Sequence, residues 1–567
     1  FLNKYSNYFI EDLWGTAIGA RMGRPEKAKM RDLKGSPNFL FPVGSEGGRM
    51  NNFIDVIKKG FVISDFPILN CEDCKQQTIY RKCEHCGSYN TKQRYIDPKT
   101  KIRYDEPPKD LRVRAFERRK YEISKLYKKT IENWNDEIPS LIKGVKNTTN
   151  KYRYAEHPLK GILRSKFALR VNKDGTVRYD GTELGITHFR PKEIGLTVEK
   201  VKKLGYVFDW KGNEITSDEQ LIEIFPQDII IPDSEILGSE AASKVLQRVA
   251  NFVDEELTRL YNKPAYYNVA TKEDLIGKMV IGLAPHTSAG IAGRIIGFSK
   301  ISALLAHPYW HAAQRRDLDG EETSIMLMLD AFLNFSRDFL PDQRGSRSMD
   351  APLVITTILN SKEVDDEVYD LNITNHYPLE FYNLAKEMKD PWDIKIKTIK
   401  DTLDTTDQYE NHLFTHPVSD LNHGVQMSSY KTLPTMREKM DGQVELAKII
   451  RAVELPKLAE LIVNGHFIRD TKGNLRKFTM QQFRCPKCNE KYRRMPLSGI
   501  CNSCKNPKLI YTISEGSIKK YIDATHELME IEGVSPYLRE TITLLQKRID
   551  SVFGKEATKQ KGLGEFI

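Results

Sequence analysis

Eight cysteines fall into two sets, and none is left over. Cys71, Cys74, Cys83 and Cys86 read CEDC-x8-CEHC, and Cys485, Cys488, Cys501 and Cys504 read CPKC-x12-CNSC. Two closely spaced pairs can present four thiolates tetrahedrally to zinc. Four thiolates leave no open coordination position, so two structural zinc ions, Zn²⁺, are expected rather than a catalytic one. The alternative is a set of disulfides in a secreted chain. Such a chain would carry a signal peptide and would rarely arrange every cysteine as CxxC. The opening FLNKYSNYFIEDLW has neither a basic-then-apolar signal pattern nor an initiator Met, and reads as the start of a fragment or a processed chain. Zinc modules of this kind often serve nucleic-acid machinery, but they specify no reaction.

At 567 residues the chain is too long for one core, and about two to four domains are expected. No apolar run approaches the roughly 18 residues that cross a bilayer. The expectation is a soluble, cytoplasmic protein with no membrane partner. Lys and Arg number 87 against 77 Asp and Glu, a net charge of +10. That excess fits a polyanion partner without proving one. Its distribution is more informative. Arg112 to Lys129, RVRAFERRKYEISKLYKK, holds eight basic and two acidic residues. The spacing predicts a helix, either a solvated face or one that follows phosphates.

Along the chain, residues 1–70 mix short strand-like runs with Gly and Pro turns. The first cysteine set occupies 71–95, and a basic helical insertion with a polar link runs from 96 to 150. Residues 158–235 read as β-rich, with turns at KDGT, RYDGT and DWKGN. FVDEELTRLY reads as a helix. The second cysteine set lies within 478–512, and apolar helical repeats continue to about 553. The last dozen residues are polar.

The string HPYWHAAQRRDLDGEETSIMLMLDAFLNF carries the densest chemistry. Asp317, Asp319 and Glu321 occupy alternate positions, which point the same way on extended backbone. Gly320 permits a sharp turn between them. Hard oxygen donors on a tight loop suit Mg²⁺, which keeps room for water and phosphate. Arg315 and Arg316 precede the acids and are placed to meet phosphate. Helical apolar spacing is expected from Ile325 through Leu329 and Phe332, anchoring the loop on a packed helix. An acidic surface turn is the bland alternative. His307 and His311, at i and i+4, are read as packing residues before metal ligands. GIAGRIIGF sets Gly290, Gly293 and Gly297 around Arg294. It lacks the ending of a phosphate-binding P-loop, and its glycines are expected to admit close backbone approach. GRPEKAK gathers Arg24, Lys27 and Lys29 in one basic turn.

Several strings resemble the large subunit of archaeal D-family DNA polymerases: ARMGRPEKAK, ITHFRPKEIG, IGLAPHTSAGIAGRIIGF, HPYWHAAQRR, MDAPLVITT, YPLEFY and FRCPKCNEKYRR. They span almost the whole chain in the same order, and the resemblance implies its C-terminal half. It also implies a mixed α+β multidomain fold. Two double-psi β-barrels would form the catalytic core, with two zinc-ribbon-like modules and helical connections. The first barrel would occupy 1–70 and 151–240, interrupted by a zinc module (71–95) and a basic helical insertion (96–150). The second would occupy 241–465, followed by a zinc module (466–512), a helical region (513–555) and a tail (556–567). The family's acidic motif, NCDGDED, reads DLDGEET here. Asp319 falls on its first aspartate and Glu321 on its second, while Asp317 replaces an asparagine. Lys27 and Lys29, with Arg24 beside them, match residues expected to face the catalytic loop. Arg294, Arg315 and Arg316 are candidate contacts to DNA or substrate.

The function so implied is template-directed addition of dNTPs to a primer 3′ end, with catalytic Mg²⁺ held by Asp317, Asp319 and Glu321. Primer-template DNA, a small proofreading-nuclease subunit and a sliding clamp are the implied partners, and the location is nucleoid-associated. Two other readings compete. One is an RNA-synthesising double-psi-barrel polymerase, because DLDGE also resembles RNA-polymerase loops. The other is an inactive zinc-stabilised scaffold that binds nucleic acid. The tail QKGLGEFI places Gln560, Leu563 and Phe566 in the spacing of sliding-clamp-binding peptides, with Ile567 where a second aromatic is usual. A frayed terminus is the alternative there.

Overall fold

The computed structural model describes residues 27–553 apart from 133, 237–238, 341–352, 388, 391–392, 416–419, 424–425, 428, 450–452, 512 and 514. Arg24 and the tail residues Gln560, Leu563, Phe566 and Ile567 lie outside the described residues. The chain separates into two compact units, Phe1–Ser428 and Ser429–Ile567.

In the first unit, β1 (Ala28–Met30) buries Ala28 and Met30 and turns Lys29 outward, the period of two that a half-buried strand demands. A satellite core follows. Its helix α1 (Phe53–Lys59) packs against an antiparallel ribbon of β2 (Phe61–Pro67) and β3 (Phe116–Glu122), which leads directly into α2 (Ile123–Thr130). Phe39, Phe41, Phe53 and Phe66 fill it with buried rings. The expected basic helix over 112–129 is therefore wrong in its first half. Seven residues from Phe116 to Glu122 pair with β2 instead, and Tyr121 packs on Phe66 with ring centroids 5.3 Å apart. Cross-strand pairing and a buried ring outweigh the helix propensity of Glu, Arg and Lys.

The chain returns through α3 (Pro158–Lys166) to β4 (Tyr179–Gly185) and β5 (Asp228–Pro232). The stretch expected to be β-rich thus opens on a helix. Next comes α4 (Ala242–Leu260), which contains FVDEELTRL of the expected helix. It buries Val245, Leu246, Val249, Phe252, Val253 and Leu257 at helical spacing against β5 and neighbouring strands. Then follow β6 (Met279–Leu283), β7 (Ala289–Ser299), β8 (Leu304–Ala306), the short helix α5 (Pro308–Ala312), β9 (Glu322–Leu327), α6 (Met328–Asn334) and β10 (Val354–Thr356).

Six of these strands close a barrel in the order β4–β8–β5–β7–β6–β9 and back to β4. Pairs β5–β7 and β4–β8 are parallel, and the other four are antiparallel. β4 and β5 come from before residue 240, β6 to β9 from after it. β1 lines β4 along the edge that β8 continues, and β10 adds to β7. Closure leaves fewer strand edges to be protected from water or other chains.

Two details position the site. Gly282 and Gly293 let the Trp310 indole lie against the barrel wall, where an added Cβ would come within 2.2 Å and 2.9 Å of it. The expectation that the GIAGRIIGF glycines admit close approach is met at Gly293. Ile325, expected to begin a helix, lies in β9 between β4 and β6, and the helix starts at Met328. Thr323 and Ile325 are β-branched and wholly buried in the wall. Helix α6 is then tied to the neighbouring strand: the Val177 N–H, just before β4, donates to Asp330 Oδ2 at 2.8 Å.

The second unit is helical. In chain order, α7 (Met436–Ile449), α8 (Leu455–Ile462) and α9 (Ile468–Thr479) precede a small sheet of Phe483–Arg484, Lys491–Tyr492 and Ile510–Tyr511; α10 (Ile522–Met529) and α11 (Pro536–Phe553) follow. A π-helical turn, Val463–Phe467, joins α8 to α9 and stacks Phe467 on Tyr521 at 4.8 Å.

Candidate active site

The loop between α5 and β9 carries the acids. Arg315, Leu318 and Gly320 all have positive φ, at 58°, 63° and 91°. Two of the three are not glycine, a local strain that persists only where the surroundings hold it. Leu318 is partly buried against the barrel core, which supplies that hold. These left-handed steps break the alternation expected of an extended segment. Asp317 and Glu321 converge, and the third member of their group is Glu183 of β4. Ligand oxygens of Glu183, Asp317 and Glu321 all lie within 4.8 Å of one another. Asp319 does not join that group.

Glu183 arrives through register. β4 pairs with β9, the Glu183 N–H donates to the Glu321 carbonyl at 3.0 Å, and the Glu321 N–H donates to Glu183 Oε1 at 3.2 Å. The side chain of Glu183 is fully buried, and its Oε2 has no hydrogen-bond partner among the described residues. Burial pushes its carboxyl up to about 8. The Glu321 N–H and Arg316 oppose the rise, and the charges of Glu321 and Asp317 reinforce it. Arg316 NH1 lies 2.7 Å from Glu321 Oε2. Three carboxyl groups therefore meet with one guanidinium paired to Glu321, and the buried Glu183 Oε2, 3.8 Å from His311 Nδ1, accepts no hydrogen bond among the described residues. That is the chemistry of a hard divalent cation site, and the donor set fits Mg²⁺. Burial and then the charges of Asp317, Asp365, Asp319 and Glu321 raise the Glu367 carboxyl, so all three loop acids act on one side of this region.

Cations flank the acids. The Lys27 N–H donates to Thr182 Oγ1 at 2.6 Å and the Thr182 N–H to the Lys27 carbonyl at 2.9 Å. Lys27 is thus fixed beside Glu183, and its Nζ lies 2.5 Å from Glu322 Oε2. Lys29 is exposed on β1. Arg315 lines an open cavity of about 400 Å³ with Glu363, Val364, Asp365 and Asp366. Arg294 is engaged elsewhere, with both oxygens of Asp228 at 2.8 Å and 2.7 Å. The histidines do not converge on a metal. His307 Nε2 lies 3.1 Å from His412 Nδ1, and His311 Nε2–H donates to the Leu184 carbonyl at 3.3 Å while its Nδ1 stands 3.8 Å from Glu183 Oε2.

Residues 135–439, which contain the three converging acids, match the family model described as DNA polymerase II large subunit DP2, catalytic domain. The chain belongs to the DP2 family. Residues 1–106 match the DP2 central domain, the segment that supplies Lys27. Among curated DP2 relatives, the DNA polymerase II large subunit of Nanoarchaeum equitans is 44% identical, covering 100% of this chain and 49% of its own length. Those of Archaeoglobus fulgidus and Pyrococcus furiosus are 44% and 43% identical over 97% of this chain and 48% and 44% of theirs. The chain spans about half the length of the curated relatives it matches.

The DP2 central-domain match also includes the first cysteine set, while the second lies beyond both matched segments. In each, the four sulfurs lie within 4.8 Å of one another. Cys71–Cys86 and Cys74–Cys83 are 3.6 Å apart, and Cys485–Cys504 and Cys488–Cys501 are 3.5 Å apart. A tetrahedron with Zn–S bonds of about 2.3 Å has edges of about 3.8 Å, so both tetrads can hold zinc. Backbone N–H groups of Cys74 and Asp73 pull the Cys71 thiol down to about 7 despite burial, toward the thiolate that a metal requires.

Sequence reasoning missed Glu183, together with Arg31, Asp180 and Glu322. Its available signal was YDGTELG, where two acids three apart interrupt a strand of small and apolar residues.

Proposed function

We propose that this chain is the C-terminal half of a D-family polymerase large subunit and carries its nucleotidyl-transfer centre, adding dNTPs to a primer 3′ end on a DNA template. The observation that carries this reading is the meeting of Glu183, Asp317 and Glu321 on one wall of the closed barrel, inside the catalytic-domain match. In this reading the closed barrel is double-psi, which its mixture of parallel and antiparallel pairs supports; because it takes strands from both sides of residue 240, the boundary expected there between a first and a second barrel is not kept.

Glu183, Asp317 and Glu321 hold a divalent cation, and Asp319 reaches the same region from the loop. Mg²⁺ held there would supply positive charge to the attacking oxygen and the departing phosphate. The protein's own part is placement. The strained loop fixes two carboxylates, β4 fixes the third, and Lys27 stands beside them to meet phosphate charge. Lys29, Arg24, Arg294, Arg315 and Arg316 are assigned to DNA or substrate, Arg316 after release from Glu321. The cysteine tetrads hold structural Zn²⁺. A small proofreading-nuclease subunit and a sliding clamp, the latter through Gln560, Leu563, Phe566 and Ile567, complete the assembly at the nucleoid in the cytoplasm.

The test is incorporation on one primed DNA template with Mg²⁺, comparing dNTPs with NTPs, for the wild type and D317N. Incorporation of dNTPs that D317N abolishes without loss of template binding supports the reading. Preference for NTPs supports an RNA polymerase, and failure with both supports a scaffold.

A further inference from the structure

Four charged side chains beside the acidic group form a second, separate constellation. Lys27 Nζ lies 2.5 Å from Glu322 Oε2 and 3.9 Å from Asp180 Oδ2. Arg31 NH1 lies 2.9 Å from Asp180 Oδ2 and 3.2 Å from Glu322 Oε1. Asp180 is the buried base of this group, its side chain 3% exposed, and Ser324 Oγ–H donates to its other oxygen. Lys27 and Glu322 form the mouth, at 37% and 32% exposed. Strand geometry separates the two constellations. Glu321 and Glu322 are consecutive at the start of β9, so one reaches Glu183 while the other reaches Lys27 and Arg31.

We propose that Glu322 is an internal counter-anion occupying a polyphosphate site, and that Arg31 together with Lys27 grips the polyphosphate which displaces it. Asp180 cannot be the group displaced, because it is buried and held by Arg31 and Ser324. Glu322 is at the mouth, and among the described residues it is held by the two cations that a phosphate would claim and by a side-chain contact with Asp180. Among the described residues only NH1 of the Arg31 guanidinium is engaged, which leaves the other donors of its planar fork for phosphate oxygens. Two cations balanced by two carboxylates would repel a further anion unless Glu322 yields. The site therefore admits an anion of several charges in preference to a single phosphate. That the polyphosphate is a nucleoside triphosphate rests on the function proposed above, whereas the site itself does not.

The experiment is calorimetric titration of the full chain with inorganic tripolyphosphate and, separately, orthophosphate, in buffer without added divalent cation. The carboxylate cluster then takes no part, and the outcome is independent of DNA synthesis. E322Q removes the competing charge and is expected to bind tripolyphosphate roughly tenfold more tightly, while R31K, which keeps Asp180 paired but loses the fork, binds it roughly tenfold more weakly. Orthophosphate should bind the wild type weakly, and its binding should respond little to R31K. Melting curves establish that both variants are folded. Tripolyphosphate affinity unchanged in E322Q overturns the counter-anion, and affinity unchanged in R31K overturns the grip. If both responses appear while primer extension fails, the site stands and the polymerase reading falls.

Discussion

The carboxylate group and the cysteine tetrads both bring together donors that could hold a metal, and the chain assembles them in opposite ways. Cys485 and Cys504 are 19 residues apart, and Cys71 and Cys86 are 15 apart. Each tetrad is made by two tight turns whose own N–H groups favour thiolate at Cys71 and Cys485, while burial pushes the Cys83 and Cys488 thiols up. Glu183 and Glu321 are 138 residues apart. They meet because β4 and β9 close a barrel whose other strands lie between them in the sequence. A local site folds with its metal and depends on it. A non-local site is held by the core behind it, so its geometry should survive without the metal while its electrostatics should not.

Removing zinc gives the largest expected effect. Elemental analysis should find two zinc ions per chain. Replacing Cys485 and Cys488 with Ser should unfold the ribbon around them, because zinc binding supplies about 10–16 kcal/mol in small zinc-finger peptides. Hydrogen exchange resolved by segment should show lost protection from Phe483 to Tyr511 with the barrel strands unchanged. A ribbon that stays protected without zinc would break the contrast.

Acid should act on the other side of the comparison. Burial holds His157, His188 and His412 down at about 4 and His307 well below its ordinary value. Lys160 adds to the effect at His157, His412 at His188, and Lys397 at His412. In the unfolded chain these groups titrate near 6.5. Between about 6.5 and 4 the unfolded state takes up protons that the folded state refuses, so stability is complete above that window and falls as pH falls through it. Each histidine contributes on the order of 1–3 kcal/mol by pH 4. Thermal melts from pH 7 to 4 should show the first unit losing stability; a flat profile would mean that these rings are already solvated.

Glu183→Gln sharpens the comparison at the acidic site. It keeps the shape and removes the charge. Primer extension should fall at least about 100-fold, a loss of about 2.7 kcal/mol in transition-state stabilisation, with the melting temperature unchanged or raised. Extension at the wild-type rate would leave the metal to the loop acids alone and remove β4 from the site.

The smallest effect expected is at Gly293. An alanine Cβ there would come 2.9 Å from Trp310 Nε1. Overpacking of this kind costs about 1–3 kcal/mol. A lowered melting temperature with zinc content intact would place the cost in the barrel wall. No change would mean that the indole can shift.

The sequence by itself determined what short-range chemistry determines. The cysteine spacing specified two tetrads. DLDGE marked the loop, and the apolar periodicity of FVDEELTRLY marked a helix, because ligands a few residues apart and one face of one helix are local properties. The family strings added the DP2 assignment. Tertiary structure alone decided the rest. Pairing with β2 made a strand of Phe116–Glu122, and burial between β4 and β6 made a strand of the segment holding Ile325, each against the helical expectation. Positive φ at Arg315, Leu318 and Gly320 cancelled the alternation that would have grouped Asp317, Asp319 and Glu321, and barrel register brought in Glu183 instead. The same register placed Lys27 and Arg31 on Glu322. Side chains meet across a closed sheet according to which residues are opposite one another, and no spacing within a single segment records that.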